Sequence, residues 1–140
     1  MTFAAQMRVG TLEITAALFA VAVVTSRPHV AGFREVVRRV PLRVGLRVVE
    51  RGNERDHESG FPLEIGRSSE AGLMLGDPEV SRRHALLESE DGIVYLHDLG
   101  SSNGTFLNGQ RVTEPIEVRR GDEIDVGTTR LLVEELAPWT

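Results

Sequence analysis

Residues 93–112, IVYLHDLGSSNGTFLNGQRV, form the stretch of sequence that decides the fold. The strand-like run Ile93–Asp98 is followed by polar, glycine-rich residues, and an Asn-Gly pair at positions 108 and 109 then separates two more short runs. Asn-Gly between strand-like runs predicts a two-residue β-hairpin turn, because such turns require positive φ angles. Residues 100–104 have no strand pattern, so they predict a loop whose side chains are available for binding.

The alternating pattern extends outward from this stretch and begins after Pro41. Leu42, Val44, Leu46 and Val48 alternate with polar or small residues, as in a half-buried strand. Strand-like runs occupy residues 42–48, 61–65, 73–75, 84–88, 93–98, 105–107, 110–112, 116–118, 123–126 and 130–134. Turn-forming residues separate these runs, and no segment among them has the length and period of a crossover helix. The sequence therefore predicts an all-β sandwich or barrel.

Composition limits the classes of protein and of site. The chain has 140 residues, of which 41% are hydrophobic and 26% charged, and this fits one packed domain with an appendage. The absence of cysteine excludes disulfides, Cys-ligated zinc, iron–sulfur clusters and a cysteine nucleophile, and it is compatible with a reducing compartment. The four histidines lack metal-ligand spacing on any one predicted element. We therefore predict no cofactor and no metal site.

The formal net charge of −5 hides an asymmetry along the chain. Residues 1–48 hold seven arginines and two glutamates, whereas residues 49–140 hold nine arginines and nineteen acidic residues. A protein that binds a nucleic-acid backbone needs a basic face to displace counterions. The acidic C-terminal two thirds of the chain therefore make nucleic acid a poor partner.

The N-terminal extension, residues 1–41, has a different pattern from the rest of the chain. Its longest apolar run, Ile14–Val24, has eleven residues, well short of the roughly 20 that span a bilayer as a helix. Three interpretations stay open: the core of a signal peptide, a docked helix or strand, and a start codon assigned too far upstream. Apolar residues at 33, 36, 37 and 40 have helical spacing and predict a short amphipathic helix that ends before Pro41.

Three polar clusters fall in the predicted turns, where a β scaffold usually displays its binding groups. They are Gly66–Ser68, Ser81–His84 and Gly100–Thr105. Together they offer guanidinium groups, hydroxyls, an amide side chain and glycine-rich backbone. These groups suit a tetrahedral oxyanion, above all phosphate. Ser81, His84 and Asp98 could also be drawn as a hydrolase triad, but the sequence has neither a nucleophile elbow nor the alternating helices of that class.

These clusters, with the residues around them, closely resemble the forkhead-associated (FHA) domain. The resemblance lies in Ile65–Arg67, Asp77–Ala85, Asp98–Gly109 and Gly121–Gly127, which occur in the order and at the spacing of that family. It covers residues 43–136, whereas residues 1–40 lie outside it. The resemblance implies a β-sandwich of about eleven short strands whose loops at one end bind a phosphothreonine peptide.

The resemblance also implies a role for each of five residues. Arg67 would bind the phosphate from the end of a strand, and Ser81 would contribute a hydroxyl and a backbone donor beside it. Arg82 would be a second cation near the phosphate, although the adjacent Arg83 cannot face the same phosphate. Ser102 would also reach the phosphate, and Asn103 would hydrogen-bond the peptide backbone next to the phosphothreonine.

Five further residues are expected to support the structure of the site. The resemblance implies that His84 braces the loops through hydrogen bonds. Asn108 and Gly109 form the predicted hairpin turn, so their role is structural. Gly66 and Gly104 are assigned to the same supporting group.

The sequence therefore predicts a non-catalytic, cytoplasmic signalling adaptor that binds phosphothreonine-containing protein or peptide. We assign residues 1–41 to an extension of unknown role, residues 42–136 to the FHA domain and residues 137–140 to a C-terminal tail. The alternative is a scaffold or oligomerisation module that keeps the fold without phosphate dependence. Neither a nucleic-acid nor a membrane partner is expected, and self-association is left open.

Overall fold

The computed structural model describes residues 42–138, and every regular element in this range is a β-strand. The eleven strands are β1 (Leu42–Glu50), β2 (Asn53–Ser59), β3 (Leu63–Gly66), β4 (Leu73–Met74), β5 (Ala85–Glu90), β6 (Ile93–Asp98), β7 (Thr105–Leu107), β8 (Gln110–Arg111), β9 (Ile116–Val118), β10 (Glu123–Val126) and β11 (Thr129–Pro138). The all-β class predicted from the sequence and the eleven strands implied by the FHA resemblance are thereby confirmed. The apolar run and the helix predicted before Pro41 lie outside the described residues. Residues 42–138 contain no helix long and apolar enough to cross a membrane.

The strands form two sheets. One has six strands in the order β2-β1-β11-β10-β7-β8, and the other has five in the order β4-β3-β5-β6-β9. All neighbouring strands run antiparallel except β3 and β4, which run parallel. In the six-stranded sheet the first strand pairs with the last, because β1 lies between β2 and β11.

Alternate residues of the strands supply the core. Val44, Leu46 and Val48 of β1 are at most 1% exposed, which confirms the alternation expected in that run. Leu63 and Ile65 of β3 bury the corresponding face of the second sheet. Each side chain of this size contributes about 1.5–3 kcal/mol when it is removed from water, so the two apolar faces hold the sheets together.

Two features of the strands were not expected from the sequence. β2 consists entirely of polar and charged residues, NERDHES, and lies at an edge of the six-stranded sheet, where it bonds only to β1. Most of its side chains face solvent, and Glu58 accepts a hydrogen bond from Arg43 of β1 at 3.0 Å. β11 continues to Pro138, so Ala137 and Pro138 pair with β1 rather than forming a tail.

Several loops meet at one end of the sandwich. Residue pairing places the start of β5 beside the end of β6 (Ala85 opposite Asp98), and the end of β10 beside the start of β7 (Val126 opposite Thr105). The loops that adjoin these positions are residues 75–84, 99–104 and 127–128, and residues 66–68 follow the end of β3 beside them. We call this group of residues the loop end. All three polar clusters identified in the sequence lie in it, except for Thr105, which begins β7 next to it.

Candidate functional site

The loop end is built on a close approach of two backbone segments at Gly66. A Cβ atom at Gly66 would collide with the carbonyl oxygen of Arg82, so only glycine allows the approach. Two backbone hydrogen bonds hold the segments together: Arg67 N–H donates to Ser81 O (3.0 Å) and Ser68 N–H to Arg82 O (3.1 Å). The first two polar clusters of the sequence are thus one structural unit.

Arg67 is exposed and partly tethered. Its Nε donates to the carbonyl oxygen of Val80 at 3.1 Å. Its two terminal nitrogens have no hydrogen-bond partner or acidic neighbour within residues 42–138. The tether restricts the base of the guanidinium group and leaves its terminal N–H donors free for a ligand.

His84 is fully buried and connects the two long loops of the site. Its Nδ1 accepts a hydrogen bond from Ser81 N–H (3.0 Å), so the ring hydrogen lies on Nε2, which donates to Gly104 O at 2.9 Å. Because this bond uses the Ser81 N–H, the hydroxyl is the group that Ser81 has left for a ligand. The resemblance had implied a backbone donor there as well.

Side chains of the two loops also bond directly to each other. Ser81 Oγ accepts the N–H of Ser102 at 3.0 Å, which leaves the hydroxyl hydrogen of Ser81 for donation. Asn103 Nδ2 donates to Glu79 O at 2.8 Å, and its Oδ1 has no partner in the described part of the chain. The Ser102 hydroxyl is exposed and likewise without a partner there. The two loops are therefore fixed to each other, while the Ser81 hydroxyl hydrogen, the Asn103 Oδ1 and the Ser102 hydroxyl stay available for a ligand.

Asp98 orders the loop of residues 99–104 through hydrogen bonds to that loop. Its carboxylate accepts hydrogen bonds from the hydroxyls of Ser101 (2.5 Å) and Thr105 (2.6 Å) and from the N–H groups of Gly100 and Ser101 (both 3.1 Å). Burial raises the pKa of Asp98, but these hydrogen bonds outweigh it and lower the pKa below its ordinary value. Gly104, with a φ of +85°, completes the turn. The side chain that orders this loop was not identified from the sequence.

The same contacts exclude the hydrolase arrangement. In the triad a carboxylate would orient the histidine, and the histidine would contact the serine hydroxyl. Here Asp98 bonds to its own loop, and the Nδ1 of His84 faces the backbone N–H of Ser81 rather than a carboxylate. The three residues therefore have structural connections in place of a proton-transfer chain.

Asp77 anchors the first loop and was also missed by the sequence analysis. It is only 1% exposed, and its Oδ2 accepts hydrogen bonds from Thr128 N–H (2.7 Å), Thr128 Oγ1 (2.7 Å) and Thr129 Oγ1 (2.9 Å). Its Oδ1 accepts the N–H of Glu79 at 2.9 Å. Burial raises the pKa of Asp77, but these bonds prevail and lower it to about 2. The loop that carries Ser81 is thereby tied to the turn between β10 and β11.

The two adjacent arginines separate, as expected from their directions. Arg83 forms a two-pronged ion pair with Glu64, with nitrogen–oxygen distances of 3.0 and 3.1 Å. Arg82 is exposed, and its side chain has no partner among residues 42–138. Of this pair, Arg82 is the cation that remains available for a ligand.

Asn108 and Gly109 lie at the other end of β7, away from the loop end. They have φ angles of +49° and +81°, as the two-residue turn between β7 and β8 requires. The Asn108 side chain bonds to Asp122 (3.0 Å) and to the N–H of Glu123 (2.9 Å). This pair connects two turns and takes no part in the site.

The fold and the site together define a class: an all-β recognition domain whose ligand groups lie on loops at one end. Comparison with known proteins identifies the family. Residues 63–127 match the family model described as the FHA domain. The chain is also 35% identical over 100 residues to the oxoglutarate dehydrogenase inhibitor of Corynebacterium diphtheriae, with 68% of each chain covered. This chain belongs to the FHA domain family.

Solved structures show the same fold. An FHA domain analysed for phosphothreonine-dependent interactions matches with a TM-score of 0.61 at 31% identity, over 69% of this chain and 99% of that one. The FHA domain of FhaA, in complex with the intracellular domain of another protein, matches with a TM-score of 0.59 at 32% identity, over 65% and 99%.

A further relative extends the comparison beyond the domain. FhaB of Mycolicibacterium smegmatis is 37% identical over 112 residues, which is 80% of this chain and 64% of that protein. Because only 28 residues of the 140 stay unmatched, this alignment includes part of the extension, residues 1–41, which the sequence analysis had placed outside the resemblance. The chain covers 48% of FhaB from Mycobacterium tuberculosis, so it spans about half to two thirds of these relatives.

Proposed function

We propose that this chain is a non-catalytic adaptor that binds phosphothreonine-containing proteins through Arg67, Ser81, Arg82, Ser102 and Asn103. The observation that carries the proposal is that polar groups without partners among residues 42–138 gather at the loop end, on a backbone held rigid by hydrogen bonds. The phosphothreonine-dependent interactions reported for a structural relative support the same ligand. Its site of action would be the cytoplasm, where it would meet the substrates of a Ser/Thr kinase.

The chemistry of each free group suits one part of such a ligand. The terminal nitrogens of Arg67 form a planar fork that can donate two parallel hydrogen bonds to phosphate oxygens. The hydroxyls of Ser81 and Ser102 can add neutral donors, and Arg82 adds a second positive charge. The free Oδ1 of Asn103 can accept an N–H of the peptide backbone.

The rigidity of the loops favours binding over catalysis. Ordering a mobile loop on binding costs free energy, and here the bonds of His84, Asp77 and Asp98 have already ordered both loops. No step of turnover is needed for an adaptor, so each of the five residues has a binding role only.

The experiment that tests the proposal is a calorimetric titration of the full chain with two peptides that differ only by a phosphate on threonine. Arg67→Ala should weaken binding of the phosphorylated peptide by about 2–5 kcal/mol, at least about thirtyfold, because it removes one partner of a hydrogen-bonded charge pair. Its melting temperature should fall by only a few degrees, since the Arg67 side chain is exposed and the variant loses only the hydrogen bond to Val80 O.

The matched control is Arg120→Ala. Arg120 is exposed and has no acidic partner in the described range, but it precedes β10 and so lies at the end opposite the loop end. The Arg120→Ala variant should bind the phosphorylated peptide as tightly as the wild type does. A loss below threefold for Arg67→Ala, with the fold intact, would remove Arg67 from the site. Equal binding of both peptides would favour the alternative, a scaffold without phosphate dependence.

A further inference from the structure

The arginines of the described residues fall into two groups. Six form ion pairs with carboxylates: Arg43, Arg47, Arg55, Arg83, Arg119 and Arg130. Five have no carboxylate within 4.0 Å in residues 42–138: Arg51, Arg67, Arg82, Arg111 and Arg120. Arg67 and Arg82 belong to the proposed phosphate site, Arg51 donates to Gly76 O, and Arg120 lies at the opposite end. Arg111 lies beside the proposed phosphate site and is not one of its five residues.

Arg111 lies against the loop that carries Asn103. A Cβ atom on Gly104 would be 3.3 Å from the Nε of Arg111, 3.4 Å from its Cζ and 3.3 Å from Cε2 of Phe106. The inner part of the guanidinium group therefore rests on the bare backbone of Gly104, beside an aromatic ring. The backbone bond from Val112 N–H to Thr105 O (2.8 Å) fixes the strand that presents it.

A cleft opens next to Arg111. It has a volume of about 430 Å³, and its walls include Gly100, Arg111, Thr113 and Glu114. Asp98 also lines it, but its carboxylate is bonded to its own loop, and His97 is within 3.3 Å of Glu88. Glu114 is exposed and lies beyond ion-pair distance of Arg111. No carboxylate of residues 42–138 therefore pairs with the guanidinium group at the edge of this cleft.

We propose that Arg111 binds a second anionic side chain of the partner, a carboxylate or a phosphate, seated in this cleft beside the phosphothreonine site. The proposal rests on the proposed function. It fits the chemistry of a weakly hydrated planar cation, which gains most from an anion where part of its surface is already covered by protein.

The connection to the proposed phosphate site limits where the second anion lies in the partner. Ser102 N is 3.0 Å from Ser81 Oγ, and Gly104 is two residues further along the chain. Even with the backbone between Ser102 and Gly104 fully extended, Arg111 Nε lies within about 17 Å of Ser81 Oγ. An extended peptide spans that distance in about five residues. The anion should occur within five residues of the phosphothreonine.

The test is a series of phosphothreonine peptides in an alanine and serine background, each with one aspartate at a different position up to five residues before or after the phosphothreonine. The full chain should bind one of them about three- to tenfold more tightly than the peptide without aspartate. Arg111→Gln should abolish that preference and leave affinity for the neutral peptide within twofold. Glu114→Gln should increase the preference, because it removes a negative charge from the same cleft. Arg120→Gln is the matched control.

The outcomes separate this proposal from the proposed function. Absence of any preferred aspartate position, or an Arg111→Gln variant that loses neutral and acidic peptides equally, would overturn the role of Arg111 while phosphothreonine binding stands. Failure of the wild type to bind even the neutral phosphothreonine peptide would overturn the proposed function and this proposal together. Replacing the preferred aspartate with phosphoserine then shows which anion the cleft favours, since the tighter of the two is the better fit.

Discussion

Replacing Asp77 with asparagine should destabilise the domain although the two side chains have nearly the same shape. One oxygen of Asp77 accepts three hydrogen bonds and the other accepts one, and two of the four donors are the backbone N–H groups of Glu79 and Thr128. An asparagine amide has one oxygen and one NH2 group. In either orientation the NH2 group would face one of those backbone donors, which would lose its partner in a buried place.

The size of the effect follows from the lowered pKa. The pKa of Asp77 falls from its ordinary value of 3.8 to about 2 in the folded chain, so its charged form contributes about 2 kcal/mol to folding at neutral pH. With the unpaired N–H added, Asp77→Asn should cost about 2–4 kcal/mol at pH 7. Because the pKa of Asp77 is lower in the folded chain than in the unfolded chain, ionised Asp77 stabilises the fold above pH 4. This contribution disappears as the pH falls toward 2. Roughly half of it should already be lost at pH 3.

The assay is denaturant unfolding of the wild type and of Asp77→Asn at pH 7 and at pH 3. The difference in unfolding free energy should shrink by about 1 kcal/mol on acidification, because the wild type loses the contribution of Asp77 and the variant has none to lose. Glu90→Gln removes an exposed carboxylate at the far end of β5 and should change stability by less than about 0.5 kcal/mol at either pH. A cost below about 0.5 kcal/mol at pH 7, or a gap that does not shrink, would refute the anchoring role.

Three other expectations follow from the site. Gly66→Ala should destabilise the domain by more than about 2 kcal/mol and weaken phosphopeptide binding, since the added Cβ would collide with Arg82 O. The control Gly60→Ala has open space around it and should change neither stability nor binding. Denaturant unfolding measures the stability of both variants, and titration measures their binding. Removing residues 1–40 should leave a domain with a two-state melt and unchanged phosphopeptide affinity; aggregation would show that the extension covers part of the core. Phosphothreonine should be preferred over phosphoserine by more than the roughly fourfold that one buried methyl supplies, because we expect Asn103 and the backbone of residues 102–104 to hold the threonine methyl in van der Waals contact. Equal affinities in paired titrations would contradict such a methyl-binding slot.

The parts of the fold that the sequence predicted are those encoded by neighbouring residues. Val44, Leu46 and Val48 alternate because one face of β1 is buried and the other is not. Asn108-Gly109 marks its turn because few other pairs adopt two consecutive positive φ angles at low cost. In both cases the physical cause lies within a few residues of the signal.

The features that were missed depend on partners far away in the chain. β2 carries no apolar alternation, since it is an edge strand whose charges pair across the sheet, and only its pairing with β1 reveals it as a strand. Asp77 bonds to Thr128 and Thr129, about fifty residues later, so nothing around Asp77 distinguishes it from an ordinary turn residue. Asp98 was within reach of sequence reasoning, because a carboxylate followed closely by Ser101 is typical of a side-chain turn.

The residues of the candidate site divide in a similar way. Guanidinium groups, hydroxyls and glycines in loops indicate a tetrahedral oxyanion, above all phosphate, from chemistry alone, but the phosphothreonine peptide as ligand came from the family resemblance. The sequence could not show which groups stay free after folding. The backbone N–H of Ser81 and the Nδ2 of Asn103 are used within the protein, whereas the Ser81 hydroxyl and the Asn103 Oδ1 are left.

The placement of charge explains how an acidic domain can take an anionic ligand. Residues 42–138 contain eleven arginines and nineteen carboxylates, a net charge of −8 with neutral histidines. Asp77 and Asp98, carboxylates of the two loops that carry Ser81 and Asn103, are enclosed by hydrogen bonds, while Arg67, Arg82 and Arg111 have no carboxylate within ion-pair distance among residues 42–138. Salt at physiological strength screens exposed charges beyond about 8 Å, so contacts of about 3 Å at these arginines outweigh the repulsion from the rest of the surface. The same acidic surface should repel a nucleic-acid backbone, whose many phosphates cannot all reach three arginines, so we expect a ligand with few, well-placed anionic groups.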